Sequence, residues 1–182
     1  MKNAIGLIEF KSIAKGIEAT DEMMKSANVE LILSTPLCPG KYISLICGDV
    51  GAVKNAVKVG KNVGGIFTID DYVIPNVHKT VFPALTATTD IDRVTSLGVV
   101  ETMSAVTAVV VGDIAVKAAN IQLLEIRIAR GLGGKGFVLI TGEISSVKSA
   151  VKTCLNKLQD TGEIVCTSVI ASPNKELISK II

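Results

Sequence analysis

The chain contains itself twice. Residues 5–34 align with 97–126 at an offset of 92, and Gly6, Glu9, Ser12, Asp21, Lys25, Ala27, Asn28 and Leu31 recur as Gly98, Glu101, Ser104, Asp113, Lys117, Ala119, Asn120 and Leu123. Residues 40–59 align with 134–153 at an offset of 94, with ten identities in 20 positions, among them Gly40-Lys41 with Gly134-Lys135 and Gly48 with Gly142. A long self-similarity of this kind marks a duplicated structural unit. The offset changes by two residues in the loop that holds Cys38, the one length change the alignment requires.

Each copy reads as β-α-β-β-α-β. In the first, Ala4–Phe10 alternates as a strand. Ser12–Ala27 has helical spacing, with Ile13, Ile17, Met23, Met24 and Ala27 on one face, Ser12 as cap and Asn28 at its end. Val29–Ser34 and Lys41–Gly48 read as a hairpin. Asp49–Val59 is a second helix, capped by Asp49 and turning Val53, Ala56 and Val57 inward, and 65–74 a final strand. The class is α/β (α+β): two ferredoxin-like units, each an antiparallel sheet with helices on one face. The expected domains are 1–78 and 97–182, the latter with a short C-terminal helix or tail from 174. Residues 79–96 form a linker marked by Pro83 and a Thr-Ala-Thr-Thr stretch.

Composition narrows the function. Hydrophobic residues make up 48% and charged residues 20%, which excludes disorder. So thin a polar coat points to surface buried against copies of the same chain. With 3% aromatic residues and a net charge of +2 without a basic run, nothing suits nucleic acid. Mean hydropathy is +0.51, yet no stretch of about 18 uncharged apolar residues occurs, so no membrane span is expected. Met1-Lys2-Asn3 leads straight into the first strand with no secretory pattern, and a cytosolic setting is expected.

A reducing compartment argues against disulfides among Cys38, Cys47, Cys154 and Cys166. Cys47 sits in an apolar strand, Cys154 on a helical pattern and Cys166 in a strand pattern; all three read as structural. Cys38 lies in Pro36-Leu37-Cys38-Pro39-Gly40-Lys41, which is turn chemistry and places a thiol at a loop tip. One chain cannot assemble four thiolates from these spacings, whereas a symmetric oligomer gathers copies of one cysteine. The matching loop, Arg130-Gly131-Leu132-Gly133-Gly134-Lys135, has no cysteine. It fits no phosphate-binding fingerprint and reads as a tight hairpin turn. His78, the single histidine, supports no catalytic set, and Glu9 and Glu101 read as partners in a shared fold role rather than an acid–base pair.

These motifs resemble a known family. Ile5-Gly6-Leu7-Ile8-Glu9, Asp21-x-x-x-Lys25-x-Ala27-Asn28-Val29, Pro39-Gly40-Lys41 and Gly48-Asp49-Val50-x-x-Val53 are similar to the bacterial microcompartment (BMC) domain. Leu97-Gly98-Val99-Val100-Glu101, Asp113-x-x-x-Lys117-x-Ala119-Asn120-Ile121 and Gly133-Gly134-Lys135 repeat the pattern. The resemblance covers nearly the whole chain and is closest to the non-permuted tandem class of shell protein, of the iron–sulfur-containing propanediol-utilisation type. It implies a pseudohexameric homotrimer that tiles with other shell proteins into a microcompartment shell, and it implies no enzyme activity.

The resemblance further implies that Leu37, Pro39, Gly40, Lys41, Gly131, Leu132, Gly133 and Gly134 line a central pore. Three copies of Cys38 would ligate one [4Fe–4S] cluster there. Lys41 would lower the thiol pKa and offset the cluster's charge, and the cluster would pass electrons across the shell to an enclosed redox enzyme. Lys25, Asn28, Lys117 and Asn120 would lie at the tile edge. Two other functions stay open on the residues: a plain tile whose pore conducts metabolites without a cluster, and a small-ligand regulator or enzyme on a ferredoxin-like scaffold.

Overall fold

A computed structural model describes residues 4–128 and 131–182. Arg130 of the second loop and Met1–Asn3 lie outside the described residues. The chain divides into two compact units, the first ending at Val77 and the second beginning at His78.

In the first unit the order is β1 (Ala4–Phe10), α1 (Ile13–Ser26), β2 (Val29–Leu37), β3 (Lys41–Gly48), α2 (Val50–Gly64) and β4 (Thr68–Ile74). The strands form one antiparallel sheet in the order β2-β3-β1-β4. Its core joins Ala4, Ile8 and Phe10 of β1 and Tyr42 and Ile46 of β3 to Ala19 and Met23 of α1 and to Val53, Ala56 and Val57 of α2. Gly6 sits where α2 crosses the sheet, and a Cβ there would come within 2.8 Å of Val53 and Val57. Its repeat mate Gly98 would meet Ile140 and Val147 within 2.7 Å, so the repeated glycine preserves a close helix–sheet approach.

The second unit repeats this plan with β5 (Leu97–Thr102), α4 (Ala105–Ala118), β6 (Gln122–Ile128), β7 (Gly136–Thr141), α5 (Ile144–Leu158) and β8 (Ile164–Ile170), in sheet order β6-β7-β5-β8. Even the irregularities recur. Register shifts fall between Leu31 and Leu33 and between Leu123 and Glu125, and again after Glu9 and after Glu101. Bulges at equivalent positions are inherited features of the unit. A second length change, not seen in the alignment, lies before the last strand: α2 and α5 start 94 residues apart, β4 and β8 start 96 apart.

Local expectations fare unevenly. Ser12 and Ser104 cap α1 and α4, accepting from the backbone N–H of Lys15 and Thr107 at 3.3 and 3.1 Å. Asp49 occupies the N-cap of α2 but makes no capping bond through its side chain. Helix α1 ends at Ala27, where the backbone is already extended, so Asn28 is not its cap. The buried face of α1 is Gly16, Ala19, Thr20 and Met23. Ile13 and Ile17, expected inward, are exposed, Ile17 at 52%. A stripe through 16, 19, 20 and 23 satisfies the helical period as well as one through 13 and 17, and small Gly16 admits the closer contact with the sheet.

Residues 79–96 are more than a tether. They carry the short helix α3 (Val81–Leu85), and Ile91 and Val94 pack with Leu97, Leu124 and Leu139 of the second sheet. The chain closes with α6 (Lys175–Ile181), capped by the Asn174 side chain, whose Ile178 and Ile181 join the same cluster.

Candidate functional site

The β2–β3 hairpin is built to present one thiol. Leu37 pairs with Lys41 across the last rung and is buried, anchoring the loop. Cys38, Pro39 and Gly40 beyond it are exposed, with a cis Cys38–Pro39 peptide bond. Gly40 has φ +79°, the left-handed region that glycine enters freely, and open space where a Cβ would stand. The loop therefore offers an accessible sulfur beside bare backbone.

Lys41 has a carboxylate partner in its own chain. Its Nζ donates to Glu9 Oε1 at 2.7 Å, and Glu9 is 0% exposed. Within its own chain the Lys41 ammonium is thus matched by a buried carboxylate. The other oxygen, Glu9 Oε2, is buried without a hydrogen-bond partner. The second copy repeats the pair between Lys135 and Glu101 at 2.8 Å, but in the open, with Glu101 35% exposed. Glu and Lys recur one strand apart in antiparallel neighbours, and that repetition was the available sign that they pair.

The second loop holds Gly131, Gly133 and Gly134 at φ +71°, +62° and +93°, and Lys135 N–H closes a turn onto the Leu132 carbonyl at 3.2 Å. Gly131 and Gly133 are exposed and Leu132 is half-buried.

Lys25 and Lys117 stand in the last turns of α1 and α4, and Asn28 and Asn120, both exposed, just beyond them. Lys25 pairs with Asp21 and with Glu22, at 3.2 Å from the latter. Hydrogen bonds and charge from these two acids raise its pKa above the ordinary lysine value. Lys117 bonds Asp113 at 2.6 Å, and buried Asp113 also accepts the His78 backbone N–H at 2.8 Å. Both lysines are thus held by the carboxylate one turn earlier.

Cys47 and Cys154 are buried, and burial pushes the Cys154 thiol up to about 12. Cys166 is exposed on β8. Among the described residues no three His, Cys, Asp or Glu side chains come together to hold a metal, and no helix is long and apolar enough to cross a membrane.

A feature absent from the sequence reading is a groove of about 620 Å³ on the face of the second sheet away from its helices. Val99, Arg127, Leu132, Phe137, Leu139 and Ile181 line it. The Arg127 guanidinium stacks on Phe137 at 5.0 Å and forks onto Glu125 at 2.7 and 2.6 Å.

Comparison with known proteins gives the family. The BMC domain matches residues 4–77 and again 96–173. The bacterial microcompartment shell protein PduT of Citrobacter freundii is 40% identical over 177 residues, covering 97% of this chain and 96% of that one. The shell protein PduA of the same organism is 39% identical over 84 residues, covering 44% of this chain. The crystal structure of a microcompartment protein from Desulfitobacterium hafniense DCB superposes with a TM-score of 0.92 at 44% identity, covering 98% of this chain and 99% of that one. Two BMC domains in one chain, similar to PduT from end to end, make this protein a member of the BMC-domain family, a tandem-domain microcompartment shell protein of the PduT type.

Proposed function

We propose that the chain assembles head to tail into a homotrimeric shell tile whose central pore carries one [4Fe–4S] cluster, ligated by Cys38 of each chain. The observation that carries this is the exposed Cys38 thiol at the tip of a hairpin in one copy of the repeat and not in the other. A ring that alternates the two copies then presents three thiols, not six.

The trimer draws support from what each copy leaves uncovered. The first exposes Ile13 and Ile17 on a helix; the second exposes a groove on a sheet. Unlike surfaces that meet make a heterologous contact, which closes into a ring when the rotation permits.

The donor set suits the group. Three thiolates hold three irons of the cube and leave the fourth to water or an exchangeable ligand. The open backbone at Gly40 leaves room for N–H groups beside the sulfides. When bound, such a cluster supplies one-electron transfer, here across the shell to an enclosed redox enzyme, and it closes the pore to free metabolite passage. The tile is a wall component rather than a catalyst. Its lateral partners are other shell proteins, met through edges that include Lys25, Asn28, Lys117 and Asn120.

Iron and acid-labile sulfide, with EPR, on anaerobically purified protein test this beside Cys38→Ser. The expected result is about four irons per three chains, lost in the variant. Iron-free protein after anaerobic reconstitution overturns the cluster and leaves a plain tile with a metabolite-conducting pore. Ligand-dependent stabilisation without large assemblies points instead to a regulator or enzyme.

A further inference from the structure

The C-terminal helix α6 follows β8 and packs on its own copy's sheet, whereas the short helix that follows β4, α3, belongs to the second unit. Helix α6 lies against the sheet face that bears the groove, with Ile178 and Ile181 packed on Leu97, Leu124 and Leu139. Ile181 forms part of the groove wall. Arg127 ties it there. Beyond its fork on Glu125 and its stacking on Phe137, the guanidinium donates to the Ile181 carbonyl at 3.2 Å, in the last turn of α6.

The sheet has been re-equipped for this tail. The Arg127–Phe137 rung of the second copy corresponds to Thr35–Ile43 in the first, where no such anchor exists. Docking is also incomplete: Leu177 and Ile182 each remain 44% exposed, apolar surface left over after α6 has covered what it can.

The occupant of the groove is suggested by the internal repeat. The equivalents of Val99, Glu101, Phe137 and Leu139 in the first copy are Leu7, Glu9, Ile43 and Leu45, and all four are fully buried. This face is made to be covered. Among the exposed apolar surfaces, α1 with Ile13 and Ile17 is the one whose repeat mate, α4, is buried over ten of its 14 residues, so the repeat marks α1 as the face to be covered.

We propose that α6, clamped by Arg127, forms one wall of the site that receives α1 of a second copy of this chain, and so controls assembly of the tile. The proposal rests on the head-to-tail trimer proposed above. Leu177 supplies apolar contact to the incoming chain, and Arg127 holds the wall in place.

Sedimentation across a dilution series tests it with the full chain, the chain lacking 175–182, Arg127→Gln and Leu177→Ser, with far-UV circular dichroism on each. Full-length protein is expected as a trimer. Removal of 175–182 and each substitution are expected to raise the concentration at which the trimer dissociates by about tenfold or more, with the dichroism unchanged. Leu177→Ser touches only an exposed side chain, so it decides the matter even where the shortened chain fails to fold. Trimers of Leu177→Ser and Arg127→Gln as tight as, or tighter than, the full-length protein overturn the clamp while leaving the trimer standing. Full-length protein that stays monomeric throughout overturns both.

Discussion

The two copies share strand order, bulges and serine caps, yet they differ in which faces they bury. Every residue of β1 is buried, so the first sheet is covered on both sides, while β5 leaves Val99 and Glu101 half-exposed. The helices reverse the pattern. Helix α1 buries one face, whereas α4 buries ten of its 14 residues. The second helix reads Ala105-Val-Thr-Ala-Val-Val-Val-Gly, apolar almost all round, as a helix enclosed on every side must be. A duplicated fold keeps its backbone rules and rewrites whichever face its neighbours change. Polar content follows burial in the same uneven way. The first copy threads hydroxyls through its interior, Thr20 bonded to Ser44, Ser44 to Ser34, and Ser34 donating to Tyr42 Oη at 2.8 Å. At the positions of Thr20, Ser44 and Tyr42 the second copy has Gly112, Val138 and Gly136.

This comparison can be broken most forcefully at the repeated Glu–Lys pairs. Lys41→Ala strands Glu9 as an uncompensated buried charge and is expected to lower unfolding free energy by about 3–5 kcal/mol in urea titration. Lys135→Ala removes the same pair where water reaches it and is expected to cost under about 1 kcal/mol. Equal losses would refute the difference in environment.

Next in size is the helix pair. Val109→Ala opens a cavity around a fully buried side chain, for an expected loss of about 2 kcal/mol. Its repeat mate Ile17, changed to Ala, is expected to leave chain stability within about 0.5 kcal/mol while weakening assembly in sedimentation. A thermal melt in which Ile17→Ala falls as far as Val109→Ala contradicts the exposed helix face.

Smaller again is the hydroxyl network. Ser44→Ala is expected to cost about 1–2 kcal/mol, because it leaves buried Thr20 short of a partner. Val138→Ala in the second copy is expected to follow cavity size alone.

The smallest effect is silent at neutral pH. Cys154 has its pKa raised to about 12 by burial, so the folded state holds this proton more tightly than the unfolded chain, whose thiol ionises near 9. Its contribution to stability is full below pH 9 and is lost as pH rises from there towards 12. Cys154→Val is expected to flatten that alkaline decline. In iron-free protein, Cys38 and Cys166 are expected to react with a thiol reagent before unfolding, and Cys47 and Cys154 only after it.

Much of the site was legible because turn chemistry is local. Two prolines and a glycine around Cys38 needed no tertiary contact to mark a loop tip, and the sheet order is that of the ferredoxin-like motif. The partner of the lysine beside the thiol was not legible, for the opposite reason. Whether Lys41 faces Cys38, three residues away, or Glu9, 32 residues away, depends on which strands pair. Cys166 falls in a strand as its pattern indicates, but a strand pattern does not say which of its faces is covered.

The sequence alone determined the duplication, the β-α-β-β-α-β order, the serine caps and the thiol-bearing hairpin, because these follow from periodicity, backbone preference and identity between the halves. Tertiary structure decided which face of each copy is covered, that Glu9 and Lys41 form a buried pair, and that α6 folds back on the second sheet. Burial belongs to neighbours brought together from distant parts of the chain. Two copies of nearly one pattern can therefore bury different faces.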